Sequence, residues 1–139
     1  MTTETTRVAL DDIIRAFQLG DHERLVARYH DDIDWIIHAP ISIFPYAGAR
    51  RGKNEVLASL AMIYQAYSIV KYEVLVKLVD GDRAATIAET QLVQRETGRT
   101  IRSRMANFMR FRDGKMIEYR GFSDSFDTAE QVLGHEIEI

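Results

Sequence analysis

Cysteine is absent from this chain of 139 residues. Its absence excludes disulfides, thiolate nucleophiles and Cys-ligated zinc, and it fits a reducing compartment, by default the cytoplasm. Long apolar runs are missing too: no stretch approaches the about 18 residues of a membrane span. The opening Met-Thr-Thr-Glu-Thr-Thr-Arg is polar and no apolar segment follows it, so no export signal is expected. Charge of one sign is not in excess. A formal net charge of -3 gives no electrostatic reason to expect nucleic acid or an anionic membrane as partner. Neither G-x-G-x-x-G nor G-x-x-x-x-G-K-[ST] occurs, and the four histidines show no metal-ligand spacing on a shared face. The expectation is therefore no metal and no cofactor such as NAD or ATP.

What remains is an ordinary folding composition, 46% hydrophobic and 28% charged with only two prolines, in a chain whose size allows one core and one domain, 1–139. Val8, Leu10, Ile13, Ile14 and Phe17 recur at helical spacing up to Leu19, and Gly20 supplies a left-handed stop. Asp21 is a good N-cap for a second short helix carrying Leu25, Val26 and Tyr29, ending at Asp31-Asp32. Ile33 to His38 reads as a strand, and Ala39 to Arg51, with Pro40, Pro45 and Gly48, as an ordered loop. A third helix starts near Gly52-Lys53, with Val56, Leu57, Leu60, Ile63, Tyr64 and Tyr67 on its apolar stripe.

Beyond Ser68 the period changes to two, and Asp80-Gly81, Thr97-Gly98 and Asp113-Gly114 divide the chain into four strands. The first puts Val70, Tyr72, Val74, Val76 and Leu78 on one face, opposite Lys71, Glu73 and Lys77. From Ile101 to Arg112 the alternation is clearer: Ile101, Ser103, Met105, Asn107, Met109 and Phe111 against Arg102, Arg104, Ala106, Phe108, Arg110 and Arg112. Only the first set can face a core or cavity cheaply. Asp127 and Glu130 resemble a capping box that opens a terminal helical turn through Val132 and Leu133 to Gly134. The order α-α-β-α-β-β-β-β predicts an α+β domain, a strongly curved sheet wrapped on the third helix.

That order, the Gly20-Asp21 joint, the Arg51-Gly52-Lys53 helix entry and the Phe111-Arg112-Asp113-Gly114-Lys115 hairpin resemble the SnoaL-like branch of the nuclear transport factor 2-like superfamily over essentially the whole chain. The resemblance implies a cone-shaped fold with a hollow interior, a small hydrophobic ligand, and a homodimer formed through the sheet. The superfamily hosts isomerases, cyclases, epoxide hydrolases, dehydratases and non-catalytic binding modules, so fold alone does not choose among them. Ketosteroid isomerase uses an Asp base with a Tyr and a protonated Asp as oxyanion hole. The positions here that resemble those three are Ala39 or Ile37, Ile13, and Asn107, of which only Asn107 keeps a hydrogen-bonding group. Limonene-epoxide-hydrolase relatives use an Arg and two Asp around a water; the corresponding strands offer Glu89 and Gln91, then Gly121, with Asp124 in place only after a three-residue insertion.

The candidate site residues follow from these readings. Asn107, with Tyr119 beside it on the next strand and Ser123 further along the same face, either forms an internal hydrogen bond or points at ligand. His38 is a general-base candidate at the cavity mouth, but the alternation Trp35, Ile37, Ala39 puts it on the opposite face if those residues line the pocket. Glu89 is either a buried acid or base or an ion-pair partner of Arg104, depending on strand register. Asp124 shares the parity of Arg120, Glu118 and Phe122. Trp35, Tyr46, Tyr64, Met105 and Met109 are expected to contact ligand, an apolar or cyclic carbonyl compound. Arg104, Arg110, Phe108 and Phe122 form a mixed outer sheet face, read as either a salt-bridge lattice or, by preference, a dimer interface. Two functions follow: a cofactor-free isomerase, cyclase or hydrolase, or a ligand-binding or dimerisation module.

Overall fold

The computed structural model describes Thr2 to Ile139. Its first helix, α1 (Thr3–Leu19), is opened by a capping box between Thr2 and Thr5 and closed by Gly20 at φ 65. Asp21 then caps α2 (His22–Arg28) by accepting from the Arg24 amide. Strand β1 runs Tyr29–His38. It begins four residues before the expected Ile33, because its polar start lies in an irregular stretch where Asp31 and Asp32 remain exposed.

The expected loop before the third helix contains a further short strand, β2 (Gly48–Arg51), antiparallel to β1 from Asp34↔Arg51 to Ile37↔Gly48. Gly-Ala-Arg-Arg carries no strand pattern of its own, and backbone pairing along the sheet edge holds it there. Helix α3 (Lys53–Ala66) buries Val56, Ser59, Leu60 and Ile63. Tyr67, expected on its apolar stripe, instead begins β3 (Tyr67–Asp80). Three long strands follow: β4 (Arg83–Gln94), β5 (Thr100–Arg112) and β6 (Lys115–Ser123). Helix α4 (Ser125–Leu133) is capped by Asp124, which accepts from the Asp127 amide; the cap thus lies three residues before the one read from the sequence.

The six strands form one curved, unclosed sheet in the order β2-β1-β6-β5-β4-β3. The β1–β6 pair is parallel and the others are antiparallel. This is the expected α+β cone. The single-face reading of β3 fails at both ends, because irregularities between Ile69 and Lys71 and between Val74 and Val76 change the parity and leave Val70, Val76 and Leu78 exposed. Leu78 is thereby 65% exposed, while Lys77 sits opposite Thr86 and pairs with Asp11 of α1 at 2.6 Å. Bulges of this kind bend a strand.

Leu10, Leu25, Ile33, Phe44, Val56, Leu60 and Phe111 are almost wholly buried and belong to one hydrophobic core. The loop carrying Phe44 is held by the Ser59 hydroxyl, which donates to the Tyr46 carbonyl at 2.6 Å. No helix among the described residues is long and apolar enough to cross a membrane.

One polar brace fixes the helical pair to the sheet. Asp12 of α1 receives both Arg24 and Arg28 of α2, the latter at 3.0 Å, and Arg28 also donates to the Gly114 carbonyl in the β5–β6 turn at 3.0 Å. The two guanidiniums hold the Asp12 carboxyl below its ordinary 3.8. A depressed carboxylate contributes stability above its unfolded pKa and loses it as pH falls. Asp12→Asn should therefore be less stable than the native chain at neutral pH, with the difference closing below 3.8. Denaturant midpoints across an acid series check this, and a gap equally wide at both ends would contradict it.

Candidate ligand-binding site

The concave face of the sheet and the helices packed on it enclose a cavity of about 150 Å³. Thr86 and Thr90 of β4, Ser103, Met105, Asn107 and Met109 of β5, and Tyr119 and Ser123 of β6 make its floor. Leu10, Ile13, Ile14 and Phe17 of α1 and Leu60 and Ile63 of α3 cover it. Trp35 and Ile37 of β1, Phe44 and Tyr46 of the loop, and Thr128 and Val132 of α4 close the sides. Strand alternation explains the floor: side chains turned inward on β5 must be apolar or find partners there.

Asn107 has found them. Its Oδ1 accepts from the Tyr119 hydroxyl at 2.5 Å, and its Nδ2 donates to the Thr86 hydroxyl at 3.1 Å. The Tyr72 hydroxyl also meets this amide; burial pushes that phenol up to about 12, and the Asn107 hydrogen bond pulls against the rise. Tyr119 is raised well above 10, chiefly by burial. A second internal pair joins Thr90 Oγ1 and Ser103 Oγ at 2.8 Å.

Gly121, directly opposite Asn107 in the register, makes room for this network: a Cβ there would come within 2.6 Å of the Tyr119 hydroxyl. Tyr46 is pushed above its usual range by burial as well. Among the described residues, none that lines the cavity is Asp, Glu, His, Lys or Arg.

The sequence candidates divide between the two faces of the sheet. Asn107, Tyr119, Trp35, Tyr46, Met105, Met109 and Ser123 line the cavity. Tyr64 does not: it packs on Phe17 and His22, and its hydroxyl donates to the Phe17 carbonyl at 3.1 Å. His38 lies on the outer face, exposed and stacked flat on Phe122 with ring centroids 4.5 Å apart, as the alternation through Trp35 and Ile37 requires.

Glu89 is outside too, opposite Arg104 in the register and 3.7 Å from Lys71 Nζ. The β4–β5 connection spans 95–99, and this register still assigns Glu89 to the arginine face. Asp124 is exposed and occupied as the α4 cap. The acid–base roles considered for His38, Glu89 and Asp124 thus lack contact with the cavity. The sequence reading also missed Tyr29, Thr86 and Thr90 on the wall. Thr86 and Thr90 share parity with the buried Ala84 and Ala88, a signal that becomes usable once the β4–β5 register is known.

The SnoaL-like domain family matches residues 10–119, and the chain belongs to that family. It is similar to a candidate isomerase from Rhodopseudomonas palustris at 34% identity and TM-score 0.87, over 91% of this chain and 97% of that one. It shares its fold with IdmH, a candidate polyketide cyclase from Streptomyces antibioticus, at 21% identity and TM-score 0.75, over 93% and 98% of the two chains. The same holds for TerC, co-crystallised with polyporic acid, at 17% identity and TM-score 0.82, over 93% and 98%. No curated protein matches the sequence.

Replacing Asn107 by Leu would leave the Tyr119 hydroxyl and the Thr86 hydroxyl without the amide that joins them. Stranding buried polar groups costs about 1–3 kcal/mol. Chemical unfolding of Asn107→Leu should show a loss of that size with an unchanged denaturant slope. Native-like stability would mean that the amide is not the internal link the geometry describes.

Proposed function

We propose that the protein binds a small, neutral, carbonyl-bearing ring reversibly in this cavity and holds it without proton-transfer chemistry. The observation that carries the reading is a wall on which the described residues place no carboxyl, imidazole, amine or guanidinium. A charged ligand would enter with no counter-charge, and burying an unpaired charge is strongly disfavoured. A general base needs a pKa near the working pH and direct reach of the proton it takes. The phenols on the wall are displaced the other way, upward from 10. The volume suits a single ring, since an apolar cavity of about 150 Å³ accommodates a benzene-sized molecule. Trp35, Tyr46, Met105 and Met109 would pack on that ring, with Tyr119, Asn107 and Ser123 forming its more polar side.

A second reading, a cofactor-free isomerase, is favoured by the likeness to the Rhodopseudomonas palustris candidate isomerase. It requires a base in contact with ligand, and the cavity wall supplies none. Cyclohexanone in deuterated water separates the two readings. We expect binding with no protein-dependent deuteration next to the carbonyl; accelerated deuteration would favour the isomerase, and absence of binding would overturn the pocket assignment itself.

We also propose that the outer sheet face pairs with a second copy. Leu78, Ile87, Phe108 and Phe122 are exposed there, Phe108 at 53%. Charges of both signs lie between them, including Arg110 3.6 Å from Glu118. A two-fold contact needs a self-complementary patch, and this mixture supplies one. The absence of cysteine suits a reducing interior, and we assign the dimer to the cytoplasm on that ground. Light scattering should give twice the 16.0 kDa chain mass, and Phe108→Glu should halve it. A native monomer at micromolar concentration would contradict the dimer.

A further inference from the structure

We propose that Trp35 is the specificity-determining contact of the cavity, its indole N–H donating to an oxygen acceptor on the bound ring. The inference deepens the binding function proposed above and rests on it. Trp35 is only 5% exposed and lines the cavity, and its Nε1 is buried with no hydrogen-bond partner. Buried donors are almost always paired, so an orphan donor on a side chain that lines a cavity calls for a partner that arrives from outside.

The indole has little freedom to find one elsewhere. The Tyr119 ring lies against it with centroids 4.0 Å apart at 33°, and Tyr29 meets it at 5.9 Å and 69°. Its backbone is fixed from both sides, opposite Arg50 of β2 and Tyr119 of β6. Polar groups on the sheet floor are committed to one another: Tyr119 to Asn107, Asn107 to Thr86, and Thr90 to Ser103. Asn107, the anchor that sequence alone favours, is therefore spent inside the protein, and among the described residues the indole N–H is the fully buried side-chain donor left without a partner.

An indole N–H only donates, so the ligand atom it meets is an acceptor such as a ketone, quinone or ester oxygen. With no cation on the wall, that oxygen belongs to a neutral group. The site thereby distinguishes a carbonyl compound from a hydrocarbon of the same shape.

The chain contains one tryptophan, so a nitrogen-15-labelled sample gives a single indole N–H resonance to follow. Cyclohexanone and methylenecyclohexane serve as probes because they differ in one position, oxygen against CH2. Saturating cyclohexanone should move the indole resonance downfield, and methylenecyclohexane should not. Trp35→Phe, which keeps a ring and removes the donor, should weaken cyclohexanone more than methylenecyclohexane, by up to about tenfold.

An indole resonance that stays in place with cyclohexanone bound overturns the proposal while the pocket stands. Equal weakening of both probes in Trp35→Phe does the same. Failure of both probes to bind the native chain overturns the pocket assignment, and this inference with it. Should Trp35→Phe not fold, the resonance of the native chain decides.

Discussion

A sheet that curls around helices turns a row of side chains away from water, and every polar atom in that row must then be paired by the protein or by a ligand. Most of this structure can be understood from that constraint. Asn107 is tolerable at the centre of β5 because Tyr119 and Thr86 stand on the two neighbouring strands at the matching register. Tyr119 can reach it because Gly121 leaves its hydroxyl room. Thr90 and Ser103 solve the same problem one step further along the strands. Trp35 Nε1 is the buried atom for which the described residues offer no such solution.

Ionised groups obey the same constraint by staying outside. Glu89, Arg104 and His38 alternate onto the convex face, and Arg120 closes on Asp34 there at 3.3 Å. Ketosteroid isomerase, by contrast, works with an Asp base and a protonated Asp in an apolar site. Here the hollow is neutral, and its phenols are driven further from ionisation by burial. A neutral cavity favours retention of a ligand by shape and hydrogen bonding over transfer of its protons.

Much of this was legible in the amino-acid order, and the reasons for the rest are physical. Gly20, Asp21 and Gly134 mark helix ends because their backbone conformations and capping bonds are local. The inward set Ser103, Met105, Asn107 and Met109 follows from a strict period of two. What the sequence could not disclose depends on pairing at a distance. The irregularities of β3 expose Leu78 and bring Lys77 to Asp11 of α1, and nothing in Val-Leu-Val-Lys-Leu announces them. The short β2 exists through its bonds to β1. Tyr29, placed on a helix by its spacing, enters the cavity because β1 begins there. Whether the Asn107 amide was spent or free depended on a hydroxyl sent from the next strand.

The central claim is that the cavity has no charge with which to meet a ligand's charge, and benzoic acid titrates that claim directly. The neutral acid and its carboxylate have nearly the same shape, so binding measured by calorimetry across a pH series compares the two forms in one site. The account predicts that only the neutral acid enters, so that apparent affinity falls about tenfold for each pH unit above the acid's own pKa. Affinity that holds steady into the carboxylate range would show a cation within reach of the ligand and contradict the neutral cavity.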